Sequence, residues 1–205
     1  MLEASNLECV RGERLIFRNL NFALQPGGLL QLSGPNGSGK TSLLRIICRL
    51  LAPAHGEIRW RGENIDSLDE EYSMLLTYVG HKAALKDELS ALENLRITNG
   101  LCGATSDAKT LGSALEQLGL GGLEDLPVRL LSEGQRRRAA LAVLAVSNTK
   151  VWLLDEVLAS LDRKAVDLVQ NLIEAHLDKG GFAIVSTHQD LTLSASSFQR
   201  LDLAS

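Results

Sequence analysis

Apolar and polar residues follow two different periods along this 205-residue chain. Between Leu2 and Leu24 they alternate in short stretches, as in Leu15-Ile16-Phe17 and Phe22-Ala23-Leu24, the spacing of strands. Pro26-Gly27-Gly28 then breaks the chain, and Leu29-Leu30-Gln31-Leu32 follows as an apolar strand. Beyond a glycine-rich loop, Ser42 to Leu50 has helical spacing, ended by residues 53–56. Glu57 to Gly62 alternates like an exposed strand, and Met74 to Val79 reads as a buried strand that stops at Gly80 and His81. From about Ala83 to Asn148 helical periodicity takes over, in Leu89–Ile97, Ala108–Leu118 and Gly134–Val146. The α/β rhythm then returns. Val151 to Leu154 is a continuous apolar run of the kind buried in parallel sheets. Arg163 to Leu177 is amphipathic, and Phe182–Ser186 and Phe198–Leu203 read as strands. The pattern predicts one α/β core, residues 1–82 and 149–205, with a helical insertion over residues 83–148. No further domain is expected after the last strand.

Composition narrows the classes without choosing one. Hydrophobic residues at 45% and charged residues at 22% suit a globular core, and the length suits a single domain. A net charge of −4 argues against nucleic acid as the partner. The longest uncharged apolar run, Ala139 to Val146, is too short to span a bilayer. Glu3 and Glu8 interrupt the N-terminus, so no signal peptide is expected. Cys9, Cys48 and Cys102 are odd in number and widely spaced, which fits buried or free thiols rather than a disulfide framework or a zinc site.

The chemistry centres on Gly34-Pro35-Asn36-Gly37-Ser38-Gly39-Lys40-Thr41, which fits the phosphate-binding pattern G-x-x-x-x-G-K-[ST]. Its glycines let the backbone curl so that successive N–H groups converge on anionic oxygens. The helix beginning at Ser42 adds the positive end of its dipole. Lys40 brings a mobile charge for the outer phosphates, and Thr41 a hydroxyl for Mg²⁺. Asp155 and Glu156 follow an apolar strand. A carboxylate at the C-terminal edge of a parallel sheet lies beside such a loop, where Asp155 can hold Mg²⁺ through water and Glu156 can polarise an attacking water as general base. Taken alone, the pair is an ordinary helix start. Leu131-Ser132-Glu133-Gly134-Gln135 precedes a helix bearing Arg136, Arg137 and Arg138. Ser132 suits an N-cap and Gly134 permits close approach; taken alone, this is a capped helix with a solvated basic face.

In this order, the phosphate loop, LSEGQ, LLDE, Ser160-Leu161-Asp162 and Ser186-Thr187-His188 resemble the nucleotide-binding subunit of the ABC transporter superfamily over essentially the whole chain. The resemblance implies the ABC-type fold: a P-loop NTPase core of mainly parallel sheet, an N-terminal antiparallel β part and a helical subdomain. It implies ATP and Mg²⁺ as cofactors, separate transmembrane subunits and a second ATPase subunit as partners, and a place at the cytoplasmic face of the bacterial inner membrane. Ser132, Gly134 and Gln135 would contact the γ-phosphate of ATP bound to the opposite protomer. Asp162 would lie at the dimer seam, and His188 would sense the γ-phosphate.

Four positions depart from the family pattern. Glu133 replaces a small signature residue and is expected to point outward, away from phosphate. Val157 replaces a proline after the glutamate. Arg11 stands near the place of an aromatic that stacks on adenine; its guanidinium plane could stack, or Phe17 could reach instead. His81, followed by Lys82, stands where the family's glutamine should be, and could line the metal and contact a partner. The stretches Tyr78-Val79-Gly80-His81 and Leu89–Leu95 resemble one branch, the ATP-binding subunits of haem export in bacterial cytochrome c maturation. An ABC ATPase of an assembly machine, such as iron–sulfur cluster biogenesis, would carry the same motifs, as would a nucleotide-binding switch that does not hydrolyse. Glu156 argues against the switch, and the lack of an N-K-x-D guanine motif excludes a signalling GTPase.

Overall fold

The structure is a computed structural model that describes residues 1–189, 191, 193 and 195–203. It opens with a long hairpin, β1 (Leu2–Arg11) and β2 (Arg14–Leu24), turned at residues 12–13. The short N-terminal alternations thus belong to two extended strands. Strand β3 (Gly28–Ser33) enters the phosphate loop and helix α1 (Lys40–Ile47) leaves it. Next come β4 (His55–Trp60), the two-residue β5 (Glu63–Asn64) and a one-turn helix α2 (Asp69–Ser73). Strand β4 is not fully exposed, because Ile58 and Trp60 point into the core. Strand β6 covers only Leu76–Val79; Met74 caps α2 and is largely exposed.

Three helices follow: α3 (Ala91–Leu101), α4 (Ala108–Gln117) and α5 (Glu133–Val146). Each starts on a side-chain cap. Ser90 and Ser132 make reciprocal capping boxes with Glu93 and Gln135, and Asp107 accepts from the Thr110 amide. The chain closes with β7 (Val151–Asp155), α6 (Arg163–Asp178), β8 (Phe182–Ser186) and β9 (Ser197–Asp202).

The strands form two sheets. One is antiparallel in the order β2-β1-β4-β5; the other is wholly parallel in the order β6-β7-β8-β3-β9. Period-two alternation on the central strands divides the core between the faces of the parallel sheet. Val151, Leu153, Phe182, Ile184, Leu30 and Leu32 pack with α1 and the antiparallel sheet. Trp152, Leu154, Ala183 and Val185 pack on the other face with α3 to α6. Covered on both sides, β7 and β8 are buried at every position, which is why they read as unbroken apolar runs. The parallel arrangement brings the C-terminal ends of β3, β6, β7 and β8 to one edge, and the chemistry collects there.

Candidate active site

Residues 34–39 curl between β3 and α1 with positive φ at Gly34, Gly37 and Gly39. Gly39 stands where the loop meets the antiparallel sheet: a Cβ there would lie 2.5 Å from Ile16 Cγ2 and 3.0 Å from Phe17 Cδ1. Pro35, Asn36 and Gly37 are exposed at the tip, while Ser38 and Ser42 are half-buried. The Ser38 hydroxyl is buried with no hydrogen-bond partner among the described residues. Such an orphan, inside a loop of converging amides, fits a ligand oxygen.

Lys40 is 6% exposed and its ammonium lies across this loop. Nζ donates to the carbonyls of Gly34 at 2.7 Å and Pro35 at 3.3 Å, and lies 3.6 Å from Glu156 Oε1 and 3.5 Å from His188 Nε2. Glu156 Oε1 is also 3.5 Å from His188 Nε2 and accepts from Ser186 Oγ at 3.4 Å. Lys40, Glu156 and His188, from three distant stretches, thus meet around one carboxylate oxygen.

Asp155, 1% exposed, faces Thr41, the second residue of α1. Thr41 Oγ1 donates to its Oδ2 at 2.8 Å, and the Tyr78 hydroxyl approaches the same oxygen at 3.4 Å. Burial, and then the Asp155 charge, raise the Tyr78 pKa, so this hydroxyl keeps its proton as a donor. Oδ1 of Asp155 is buried without a partner among the described residues. A free carboxylate oxygen beside a hydroxyl is a hard-donor pair that fits Mg²⁺, whose remaining ligands would be water and phosphate. No cluster of three or more His, Cys, Asp or Glu that could hold a metal ion occurs among the described residues.

The remaining expected residues lie elsewhere. Ser132 and Gln135 bond each other across the α5 cap, and a Cβ added at Gly134 would lie 3.8 Å from the Ser160 carbonyl oxygen. These contacts share no partner with those of Lys40 and Thr41. Glu133 is exposed. Asp162 caps α6 by accepting from the Ala165 amide at 2.8 Å. Val157 is fully buried. Arg11 is exposed at the hairpin end, whereas Phe17 is in the core against Gly39, so its ring face is not open for a base. His81 does not join the groups that touch Asp155. Its side chain is exposed in a cleft of about 320 Å³ shared with Glu133, Arg136, Glu156 and Ser160, and its carbonyl accepts from Arg137 at 2.8 Å.

Arg137 and Tyr78 stand at the site although their sequence context assigns neither a role there. The basic face expected on α5 is not wholly solvated: Arg137 is 7% exposed, and burial lowers its pKa against the opposing pull of Asp155 and Glu156. The signal was its spacing, since Arg137 falls one and two turns before the buried Leu141 and Leu144. For Tyr78 it was a place near the end of β6, next to the carboxylate-bearing β7.

This edge is that of a nucleotide-binding α/β ATPase, and comparisons with known proteins agree. The ABC transporter family model matches residues 17–159, and the chain belongs to that family as an ATP-binding subunit. Among its relatives is the cytochrome c biogenesis ATP-binding export protein CcmA of Nitrosospira multiformis, 52% identical over 98% of both chains. The protein of the same name from Nitrosomonas europaea is 50% identical over 100% of this chain and 96% of its own. A bacterial ABC transporter cassette solved as a dimer superposes with a TM-score of 0.83 at 25% identity, covering 100% of this chain and 95% of the other.

Proposed function

We propose that this chain hydrolyses ATP to drive haem export in bacterial cytochrome c maturation. It would act at the cytoplasmic face of the inner membrane, paired with a second copy and docked on separate transmembrane subunits. The observation that carries the chemistry is the meeting of Lys40, Glu156 and His188 one residue from the Thr41–Asp155 pair. The full-length relatives named for cytochrome c biogenesis support the biological role. No helix among the described residues is long and apolar enough to cross a membrane, which is consistent with membrane subunits supplied separately.

On this reading the loop amides of residues 34–39, with the N-terminus of α1, bind the phosphates, and Lys40 leaves its carbonyl partners for the outer ones. Thr41 and Asp155 would hold Mg²⁺, which would offset charge on the phosphate oxygens. Glu156 accepts the proton of the attacking water at Oε1, and His188 beside it registers the γ-phosphate. Ser132, Gly134 and Gln135 of one protomer close on the nucleotide of the other, since within a chain they share no contact with the loop. Arg11 is the candidate for stacking on adenine. Residues 83–148 form the helical subdomain, and the cleft at His81 faces the membrane subunits. Closure can shift the membrane subunits only as far as ATP favours the closed pair over the open one.

The test is a deletion strain complemented with wild type or Glu156→Gln. The expected result is that Glu156→Gln leaves apocytochrome c in place without covalent haem, seen by haem staining. Normal c-type cytochromes in the deletion strain would refute the haem role and leave an ABC ATPase of another process.

A further inference from the structure

We propose that Arg137 is a positioning residue for hydrolysis: from the signature helix α5 it holds the backbone around Glu156, and so sets where the catalytic carboxylate lies. The proposal rests on the reading of Glu156 as the base. A guanidinium has five N–H groups, and five backbone carbonyls surround this one. Nε donates to Val157 at 3.2 Å, Nη1 to Gly80 at 2.9 Å and His81 at 2.8 Å, and Nη2 to Glu156 at 2.8 Å and Asp155 at 3.4 Å. Donors and acceptors match one for one. No ion pair to Arg137 within 4.0 Å is formed among the described residues, so its contacts are aimed at backbone rather than at a carboxylate.

The backbone it grips is the part that needs holding. Glu156 has φ +52°, a left-handed conformation that a residue with a Cβ adopts at a cost. Its amide is tied to Ser186 by a 3.0 Å bond to that carbonyl, and Arg137 ties its own carbonyl and both neighbours. The turn is thereby fixed from two sides while the Glu156 side chain stays free to meet Lys40 and His188. The same guanidinium binds Gly80 and His81, and His81 lines one cleft with Glu156, so movement of α5 or of that segment reaches the base through one side chain. Lysine would keep the charge and lose the planar fork, so it is not an adequate replacement.

The experiment compares Arg137→Lys, Arg137→Gln and Arg137→Ala with wild type and Glu156→Gln in purified protein, measuring kcat, KM for ATP, nucleotide affinity and thermal unfolding. The expected result is a kcat loss of about 10- to 100-fold in the Arg137 variants, the range for groups that orient a reacting residue. KM and nucleotide affinity should stay within about twofold, and millimolar guanidinium should partly restore kcat in Arg137→Ala. Wild-type turnover in Arg137→Lys and Arg137→Gln, with Glu156→Gln inactive, would overturn the positioning role and leave Glu156 as the base. Unfolding of the variants, or kcat and ATP binding falling together without guanidinium rescue, would also overturn it in favour of a structural strut. Full turnover in Glu156→Gln would instead remove the base assignment itself.

Discussion

Gly39→Ala should damage the protein in a way that Gly37→Ala does not, and the structure supplies both the size and the reason. Both glycines have positive φ, +82° at Gly37 and +106° at Gly39, so an added Cβ is strained at either. At Gly37 that Cβ would meet nothing within 4 Å, and only the conformational cost of about 1–2 kcal/mol applies. At Gly39 it would lie 2.5 Å from Ile16 Cγ2 and 3.0 Å from Phe17 Cδ1, which adds an overpacking cost of about 1–3 kcal/mol. The totals are about 1–2 kcal/mol for Gly37→Ala and about 2–5 kcal/mol for Gly39→Ala. At about 2–4 °C per kcal/mol for a chain of this size, Tm should fall by about 2–8 °C and about 4–20 °C. Differential scanning calorimetry measures both. Adding Ile16→Ala removes the nearer methyl, so the double-mutant cycle should show a favourable coupling of about 0.5–3 kcal/mol with Gly39→Ala and none with Gly37→Ala. Equal Tm losses at the two glycines, or no coupling to Ile16, would refute the close packing of the antiparallel sheet on the loop.

The other predictions address the site and the core. Lys40→Ala removes a charged donor from the loop and should raise the Kd for ATP by about 10- to 150-fold, measured by isothermal titration calorimetry; unchanged affinity would remove Lys40 from the phosphate site. Glu156→Gln should keep ATP binding and lose about 10²- to 10⁴-fold in kcat. Its ATP-bound dimer should persist in light scattering, and a strict monomer at high concentration would count against closure between two copies. His176 stacks on Trp152 with centroids 3.9 Å apart, and burial, against the hydrogen bond to the Phe182 carbonyl, lowers its pKa. On acidification the unfolded chain therefore takes up the proton first, and stability should fall as pH drops below about 6.5. His176→Phe should flatten that slope in pH-dependent Tm measurements, and a slope equal to wild type would refute the assignment.

Local features were legible in the sequence because their physics is local. The phosphate loop, its strand and its helix occupy adjacent residues, and the glycines required by its turns are visible as glycines. Strands β7 and β8 were visible because burial on both faces demands unbroken apolar runs, and the α5 start because Ser132 and Gln135 cap it within one turn. Helix α2 was missed: it is one turn long and mostly acidic, with no apolar period to read. Strand order and the meeting of distant groups belong to the tertiary structure. Thr41 reaches Asp155 across 114 positions and Lys40 reaches His188 across 148, separations on which helix and strand periods carry no information. Phe17 was a candidate for the base until packing against Gly39 buried its ring. Arg137, on a helix whose basic run reads as solvated, was turned inward because the turn at residues 155–157 and the segment at residues 80–81 leave five carbonyls facing one point. A planar fork of N–H groups matches them there, and that arrangement exists only once β6, β7 and α5 have been packed together.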